Sequence, residues 1–172
     1  MKSCFVLITL FATVLAQAGD KKPINECKHD ENTFRCVELV RVIDGDSVVV
    51  NISNIHPLLG KEVTIRIANL DAPEKNPSLD KPEKQRKCEK AKAKEAKYLI
   101  ESILKKATRI DVVNVKRPKY FRILGSLLVD NQNIGDLLLQ SKLAIPYDGQ
   151  KKAEVDWCKV PDRLPASKSK TN

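Results

Sequence analysis

Five short stretches of the chain alternate apolar and polar residues, which is the period-two pattern of half-buried β-strands. In the third stretch, for example, single residues separate the apolar positions Val63, Ile65 and Ile67. The sequence predicts strands over Cys36–Ile43 and Ser47–Ile52, a third strand beginning at Val63, and two more over Ile110–Val115 and Phe121–Val129. Between the first two, Asp44-Gly45-Asp46 has the composition of a tight hairpin turn.

Two segments instead repeat apolar residues every three or four positions, which predicts helices. The longer runs from Glu83 to Ala107, with lysine and glutamate on its other face. That charged face could bind a partner, but a solvated helix face is the preferred interpretation. The shorter helix runs from Ile134 to Lys142, after an Asp130-Asn131 turn. Turn residues occupy 56–60, a polar loop is expected over 75–82, and 144–147 should be extended.

The order of these elements predicts a β-barrel with helices, in the α+β class. Three hairpin-linked strands, a helix and two further strands match a five-stranded OB-fold. The long helix would lie between strands 3 and 4, and the short helix after strand 5. OB-folds commonly bind oligonucleotides, but a fold alone does not establish function.

The ends of the chain differ in composition from its middle. Residues 1–18 hold one lysine, an apolar run and an Ala-Gln-Ala ending, which predict a secretory signal peptide; a retained membrane anchor is the alternative. A polar leader over 19–33, one domain over 34–159 and a disordered tail over 160–172 are expected. No other apolar stretch has membrane length, so we expect no membrane association after signal removal, and a secreted or periplasmic location.

Net charge indicates the kind of partner. The formal net charge is +9 at pH 7, which favours a polyanion. A lysine-rich soluble surface is the alternative explanation for the same excess of positive charge.

Four cysteines follow the predicted signal peptide: Cys27, Cys36, Cys88 and Cys158. An even number of cysteines in an exported chain favours two disulfides. A metal site is less favoured, because the sequence contains no Cys-x-x-Cys motif. Three pairings are possible. The preferred one joins Cys27 to Cys36, and Cys88 to Cys158, which would tie the tail to the start of the long helix.

The candidate chemistry lies at the end of the third strand, between Arg66 and Glu74. Pro73 cannot continue a strand ladder, so Asp71, Ala72 and Glu74 are expected in a loop there. Arg66 should face away from the isoleucines. A charged turn without chemistry is the alternative, since aspartate and proline are common in turns. In a small sheet, this loop and the Asp44–Asp46 turn could meet at one edge.

Three motifs resemble those of the staphylococcal nuclease (thermonuclease) family, in the order found there. They are Val-Ile-Asp-Gly-Asp-Ser at 42–47, the nine residues from Arg66 to Glu74, and Lys-Tyr-Phe-Arg at 119–122. The resemblance covers roughly 36–147. Pro-Tyr-Asp-Gly at 146–149 and Trp-Cys at 157–158 are similar to the exported, cysteine-containing bacterial members.

The resemblance implies a site for phosphodiester hydrolysis. Asp46 and Asp71 would bind Ca²⁺, with the backbone carbonyl of Ala72 as a further ligand, since hard cations prefer oxygen. Glu74 would activate or orient the attacking water. Arg66 and Arg122 would clamp the phosphate as charge develops in the transition state.

Other matching positions bear on substrate binding. Lys119 and Tyr120 match a nucleotide-contacting pair, and Tyr147 lies close to a family tyrosine. The sequence departs from the family's motifs in two places. Ser47 replaces a threonine and keeps its hydroxyl, while Phe121 and Ile123 replace the glycines that flank the arginine at Arg122. The loop that carries Arg122 is therefore expected to be stiffer or differently aimed.

Together these features predict an exported, calcium-dependent nuclease that acts on DNA and RNA with little base specificity, as a monomer. The alternative is a non-catalytic nucleic-acid-binding or interaction module on the same barrel. Retention of all five charged positions (Asp46, Arg66, Asp71, Glu74 and Arg122) favours the enzyme.

Overall fold

The structure is a computed structural model that describes residues 27–117, 123–152 and 154–160. These residues form nine strands and three helices. The strands are β1 (Thr33–Phe34), β2 (Glu38–Val42), β3 (Ser47–Asn51), β4 (Val63–Ile67), β5 (Leu70–Asp71), β6 (Ile110–Lys116), β7 (Ile123–Val129), β8 (Gln132–Asn133) and β9 (Ile145–Pro146). The helices are α1 (Pro57–Gly60), α2 (Glu83–Leu104) and α3 (Ile134–Gln140).

One mixed sheet contains most of the strands. Its order is β1-β6-β7-β4-β3-β2, with β8 paired to β7. The pairs are antiparallel except for β4 and β7, which run parallel because α2 and β6 intervene between them in the chain. A separate antiparallel pair, β5 and β9, joins Asp71 to Ile145. The mixed α+β architecture predicted from the sequence is confirmed.

These elements are consistent with an OB-like fold, but the predicted five-stranded barrel is wrong in its strand number and in its closure. The described residues contain four additional strands of two residues each, too short to show a period in the sequence. In addition, the paired strands do not close, because β1 and β2 end the strand order. Between β1 and β2, Cys36 has a positive φ of 53°, which interrupts the extended backbone from 35 to 37. Only the Val37 N–H, which donates to the Ile110 carbonyl at 2.9 Å, joins this segment to β6 among backbone hydrogen bonds of the described residues.

The helices agree with the predicted positions but not with every predicted boundary. Helix α2 ends at Leu104 rather than Ala107, and α3 ends at Gln140 rather than Lys142. A helical turn, α1, forms where the sequence predicted only a turn; His56 Nδ1 accepts the Leu58 N–H there at 3.2 Å. Within the described residues, no helix is long and apolar enough to cross a membrane.

The core lies between the main sheet and helices α2 and α3. Helix α2 contributes a stripe at Ala93, Ala96, Ile100 and Leu104, with the spacing of one helix face. The sheet and the chain beside it contribute fully buried side chains, among them Val48, Val50, Ile65, Ile67, Leu70, Val112 and Leu127. Burial of each such side chain contributes about 1.5–3 kcal/mol. This packing fixes the strand ends that carry the candidate site.

Both predicted disulfides are confirmed. Cys27 pairs with Cys36, and Cys88 pairs with Cys158, with Cα–Cα separations of 5.3 and 5.2 Å. The second bond joins the first turns of helix α2 to the segment after β9. Next to it, Trp157 is buried. The predicted signal peptide, most of the predicted leader and the predicted tail after residue 160 lie outside the described residues.

Candidate active site

The turn before β3 and the loop after β4 come into direct contact. The Ile67 N–H donates to the Asp46 carbonyl at 2.8 Å, which locks the end of β4 onto the turn. Gly45 permits this approach, because a Cβ there would lie 2.8 Å from both Ala72 Cβ and Ala96 Cβ. Any larger residue would push the turn away from the loop and from helix α2. The expectation that the two carboxylate-bearing segments meet is confirmed, but the loop expected at Asp71 is wrong: Asp71 lies in strand β5, which pairs with β9.

The guanidinium of Arg66 joins the two aspartates. Its Nη1 donates to Asp46 Oδ1 at 2.8 Å, and its Nη2 donates to Asp71 Oδ1 at 2.9 Å. The Asp46 and Asp71 side chains are only 6% and 11% exposed, whereas that of Arg66 is 21% exposed. Two largely buried carboxylates therefore share one cation in a site that remains open to solvent at the arginine.

Further hydrogen bonds fix the Asp46 carboxylate. Oδ1 accepts the Ser47 hydroxyl at 2.8 Å, and Oδ2 accepts the Ala72 N–H at 3.2 Å. Serine in place of the family's threonine thus keeps the hydroxyl contact. Despite these partners, burial raises the pKa of Asp46 to about 6; Arg66 and the two hydrogen bonds lower it, while the Asp44 carboxylate adds to the increase.

This shift predicts a pH dependence of stability in the metal-free protein. Because the folded pKa (about 6) lies above the ordinary value of 3.8, the folded state holds the proton more tightly, and stability is lost as pH rises from about 4 to 6. The change should approach about 3 kcal/mol. Urea unfolding with chelator, for wild type and Asp46→Asn, should show the wild-type free energy falling relative to the variant over this range. Parallel pH profiles would contradict the assignment.

Glu74 lies at the rim of the same site. Its side chain is 54% exposed, and Oε1 accepts a hydrogen bond from Lys152 Nζ at 2.7 Å. Its backbone N–H donates to Glu89 Oε1 at 3.3 Å. Glu89 is a buried residue of helix α2 that also accepts Lys81 Nζ at 2.6 Å. The helix thereby holds both ends of the loop that carries Glu74.

Arg66, Glu74 and Tyr147 line one open cleft of about 380 Å³, together with Asp44, Ser47 and Lys152. Tyr147 is placed there by β9 and by its N–H, which donates to the Asn69 carbonyl at 3.1 Å. Its hydroxyl donates to the Gln150 carbonyl at 3.0 Å, which leaves the ring at the edge of the cleft. The cleft thus combines a guanidinium, an accessible carboxylate and an aromatic ring.

Three predicted site residues, Lys119, Tyr120 and Arg122, lie outside the described residues, as does Phe121. The described strand β7 begins at Ile123, and its register pairs Ile123 with Ile65 and Leu124 with Arg66. The backbone that follows Arg122 therefore runs beside the strand that carries Arg66. The roles of the three residues stay predictions.

The donor set fits a hard cation. Within the described part of the chain, no group of three or more His, Cys, Asp or Glu residues is arranged to hold a metal ion. However, the buried carboxylates of Asp46 and Asp71 share the Arg66 guanidinium, and of the two only Asp71 also contacts Lys152. Burial raises the pKa of Asp46, so a further positive charge beside it would stabilise its carboxylate. A Ca²⁺ site can contain as few as two carboxylates when backbone carbonyls and water molecules provide the other oxygen ligands. Asp46, Asp71 and the Ala72 carbonyl could hold such an ion.

A comparison with known protein families places this chain in one of them. A family model described as staphylococcal nuclease homologue matches residues 64–160, more than half of the 172-residue chain. The chain belongs to this family. The search of curated proteins found no match. The resemblance to this family is therefore confirmed; the match includes the motifs at 66–74 and 119–122, whereas the motif at 42–47 lies before it.

Two residues of the site were missed by the sequence analysis. Lys152 follows another lysine in a polar segment, and the sequence does not indicate which of the two reaches the site. Glu89 could have been found, because it lies four residues before Ala93 on the buried stripe of helix α2. The interpretation of this helix's charged residues as a wholly solvated face is therefore wrong for Glu89 and Lys92, which are buried.

Proposed function

We propose that this chain is an exported, calcium-dependent nuclease that hydrolyses phosphodiester bonds of DNA and RNA with little base specificity. The observation that carries the proposal is the placement of Arg66 between two buried aspartates, in the cleft that also contains Glu74. In a member of the staphylococcal nuclease homologue family, this arrangement supplies the groups that phosphodiester hydrolysis needs.

Arg66 would bind the scissile phosphate. A guanidinium has five N–H donors, and the bonds to Asp46 and Asp71 leave others for phosphate oxygens. The two aspartates hold the Arg66 guanidinium in place before substrate binds. Little reorganisation of the guanidinium is therefore needed as charge builds on the phosphate. Arg122 would act as a second clamp on the same group.

Glu74 would take the proton of the attacking water. Its carboxylate is half exposed and reaches into the cleft beside Arg66, so water can lie between it and a bound phosphate. The backbone bond from Glu74 to Glu89 restricts the loop without occupying the Glu74 carboxylate. Such positioned general bases typically contribute about 10²–10⁴-fold to the rate.

Ca²⁺ bound by Asp46, Asp71 and the Ala72 carbonyl would supply positive charge that neutralises the phosphate. The chain's own part is to bring these oxygens together, which the Gly45 contact and the Ile67 hydrogen bond accomplish. Hard oxygen donors and the absence of a free cysteine among the described residues favour calcium over softer metals.

Substrate binding would depend on phosphate and on stacking rather than on base edges. The net charge of +9 favours a polyanion, and Tyr147 lines the cleft, where a base could stack. Lys119 and Tyr120 are proposed to contact the nucleotide. Because such contacts do not distinguish bases, both DNA and RNA should be substrates.

The disulfides bear on the location of the protein, and the site residues bear on its oligomeric state. The two disulfides are typical of proteins from oxidising compartments, which supports a secreted or periplasmic location. Asp46, Arg66, Asp71 and Glu74 all come from one chain, so the proposed site needs no second copy. We expect a monomer.

A cleavage assay with two single-stranded oligonucleotides of the same sequence, one DNA and one RNA, tests the proposal. Each should be cut in calcium at many positions, with rates that fall as salt is raised because phosphate contacts are lost. A binding module would retard both oligonucleotides on a gel and leave them intact. Cleavage confined to one base would contradict the proposed specificity.

A further inference from the structure

Lys152 stands between two carboxylates of the candidate active site. Its Nζ lies 2.9 Å from Asp71 Oδ1 and 2.7 Å from Glu74 Oε1. These are the proposed cation ligand and the proposed base. One ammonium group therefore contacts two groups that the proposed reaction needs to be free.

The segment that carries Lys152 is anchored on both sides. Before it, β9 pairs with β5, and the Tyr147 N–H donates to the Asn69 carbonyl. After it, Trp157 is buried and Cys158 is bonded to Cys88 of helix α2. Lys152 thus reaches the site from a short span with fixed ends, so its placement is a property of the fold.

The two aspartates differ in how much positive charge they receive. Asp71 Oδ1 accepts both Arg66 Nη2 and Lys152 Nζ, each at 2.9 Å, whereas the ion pair of Asp46 is with Arg66. The Lys152 ammonium therefore places a positive charge beside both Asp71 and Glu74. A divalent cation on Asp71 would lie close to this fixed charge and be repelled by it.

We propose that Lys152 is an internal counter-ion that neutralises Asp71 and Glu74 in the metal-free protein and that a divalent cation must displace. This inference rests on the proposed function, because it concerns the same cation. Displacement of Nζ would at the same time free the Glu74 carboxylate. Cation binding and release of the base are thereby linked through one side chain, and the protein without its cation keeps both carboxylates paired.

Calcium titration by calorimetry tests the proposal, at fixed ionic strength, on wild type, Lys152→Met and Lys151→Met. Lys151 is an exposed neighbour. Lys151→Met is therefore the control, because it changes the net charge of the protein by the same amount as Lys152→Met. Lys152→Met should bind calcium at least about tenfold more tightly than wild type, since a close positive charge is removed. Lys151→Met should stay within about twofold of wild type.

Thermal unfolding gives a second measurement that does not depend on catalysis. In chelator, Lys152→Met should unfold at a lower temperature than Lys151→Met, because Asp71 keeps only Arg66 and Glu74 loses its contact with the ammonium. Calcium should then raise its unfolding temperature by more than it raises that of Lys151→Met.

The outcomes separate the inference from the function on which it rests. If all three proteins bind calcium equally, or if Lys152→Met binds more weakly, Lys152 is no competitor and only the inference is overturned. If none of the three binds calcium, the proposed cation is wrong and the inference is overturned with it.

Discussion

Replacement of Arg66 by alanine should lower kcat/KM for DNA by about 10²–10³-fold, the loss found when one preorganised donor is removed from a transition state. Arg66 is the sole basic side chain within ion-pair distance of Asp46 among the described residues, and it also binds Asp71. Its removal would therefore also leave the two buried aspartates with less positive charge. Steady-state kinetics on a fluorescent oligonucleotide would measure the loss.

Two further variants separate chemistry from folding in this prediction. Arg35→Ala removes an arginine that also pairs with an aspartate at 2.9 Å but does not line the cleft, and should retain activity. Arg66→Lys keeps the charge and loses the fork, so it should recover only part of the rate. Equal activity of Arg66→Ala and Arg35→Ala would show that Arg66 does not act on the phosphate.

Glu74→Gln should reduce turnover by about 10²–10⁴-fold while DNA affinity stays within a few fold of wild type. The amide keeps the size of the side chain but cannot take a proton from water. The backbone bond to Glu89 does not involve the side chain of residue 74, so the loop should keep its position. Single-turnover kinetics and a binding titration in the same buffer measure the two quantities separately.

Glu83→Gln is a matched control for this variant. Glu83 is likewise exposed and bonded to a lysine, Lys87, at 2.6 Å, but lies at the start of helix α2. It should cleave like wild type. A parallel loss of affinity and rate in Glu74→Gln would instead point to a structural or cation-binding role for Glu74.

Periodic patterns in the sequence predicted the long elements, and the family resemblance predicted the residues of the site. Strands β2, β3, β4, β6 and β7 and helices α2 and α3 each span enough residues to show a period, so their positions were predicted to within a few residues. The meeting of Asp46 and Asp71 followed from the hairpin and the loop at Pro73. The presence of two disulfides followed from the even number of cysteines, whereas the structure shows which cysteines are paired.

Features that depend on tertiary contact could not be predicted in this way. Strands of two residues have no period, and closure of the sheet depends on whether its end strands, β1 and β2, pair with each other. The role of Lys152 depends on where β9 and the Cys88–Cys158 bond place its segment. Glu89 is charged and would be expected at the surface. It is buried because Lys81 Nζ and the Glu74 N–H donate hydrogen bonds to its carboxylate.

Calcium-dependent cleavage of plasmid DNA by the purified wild-type protein tests the central claim most directly. With calcium, supercoiled plasmid should be converted to nicked, linear and shorter products; with chelator it should stay intact, and renewed calcium should restore cleavage. Retardation of the plasmid without cleavage at any calcium concentration would contradict the nuclease and leave a nucleic-acid-binding module. Cleavage that persists in chelator would contradict the role of the cation.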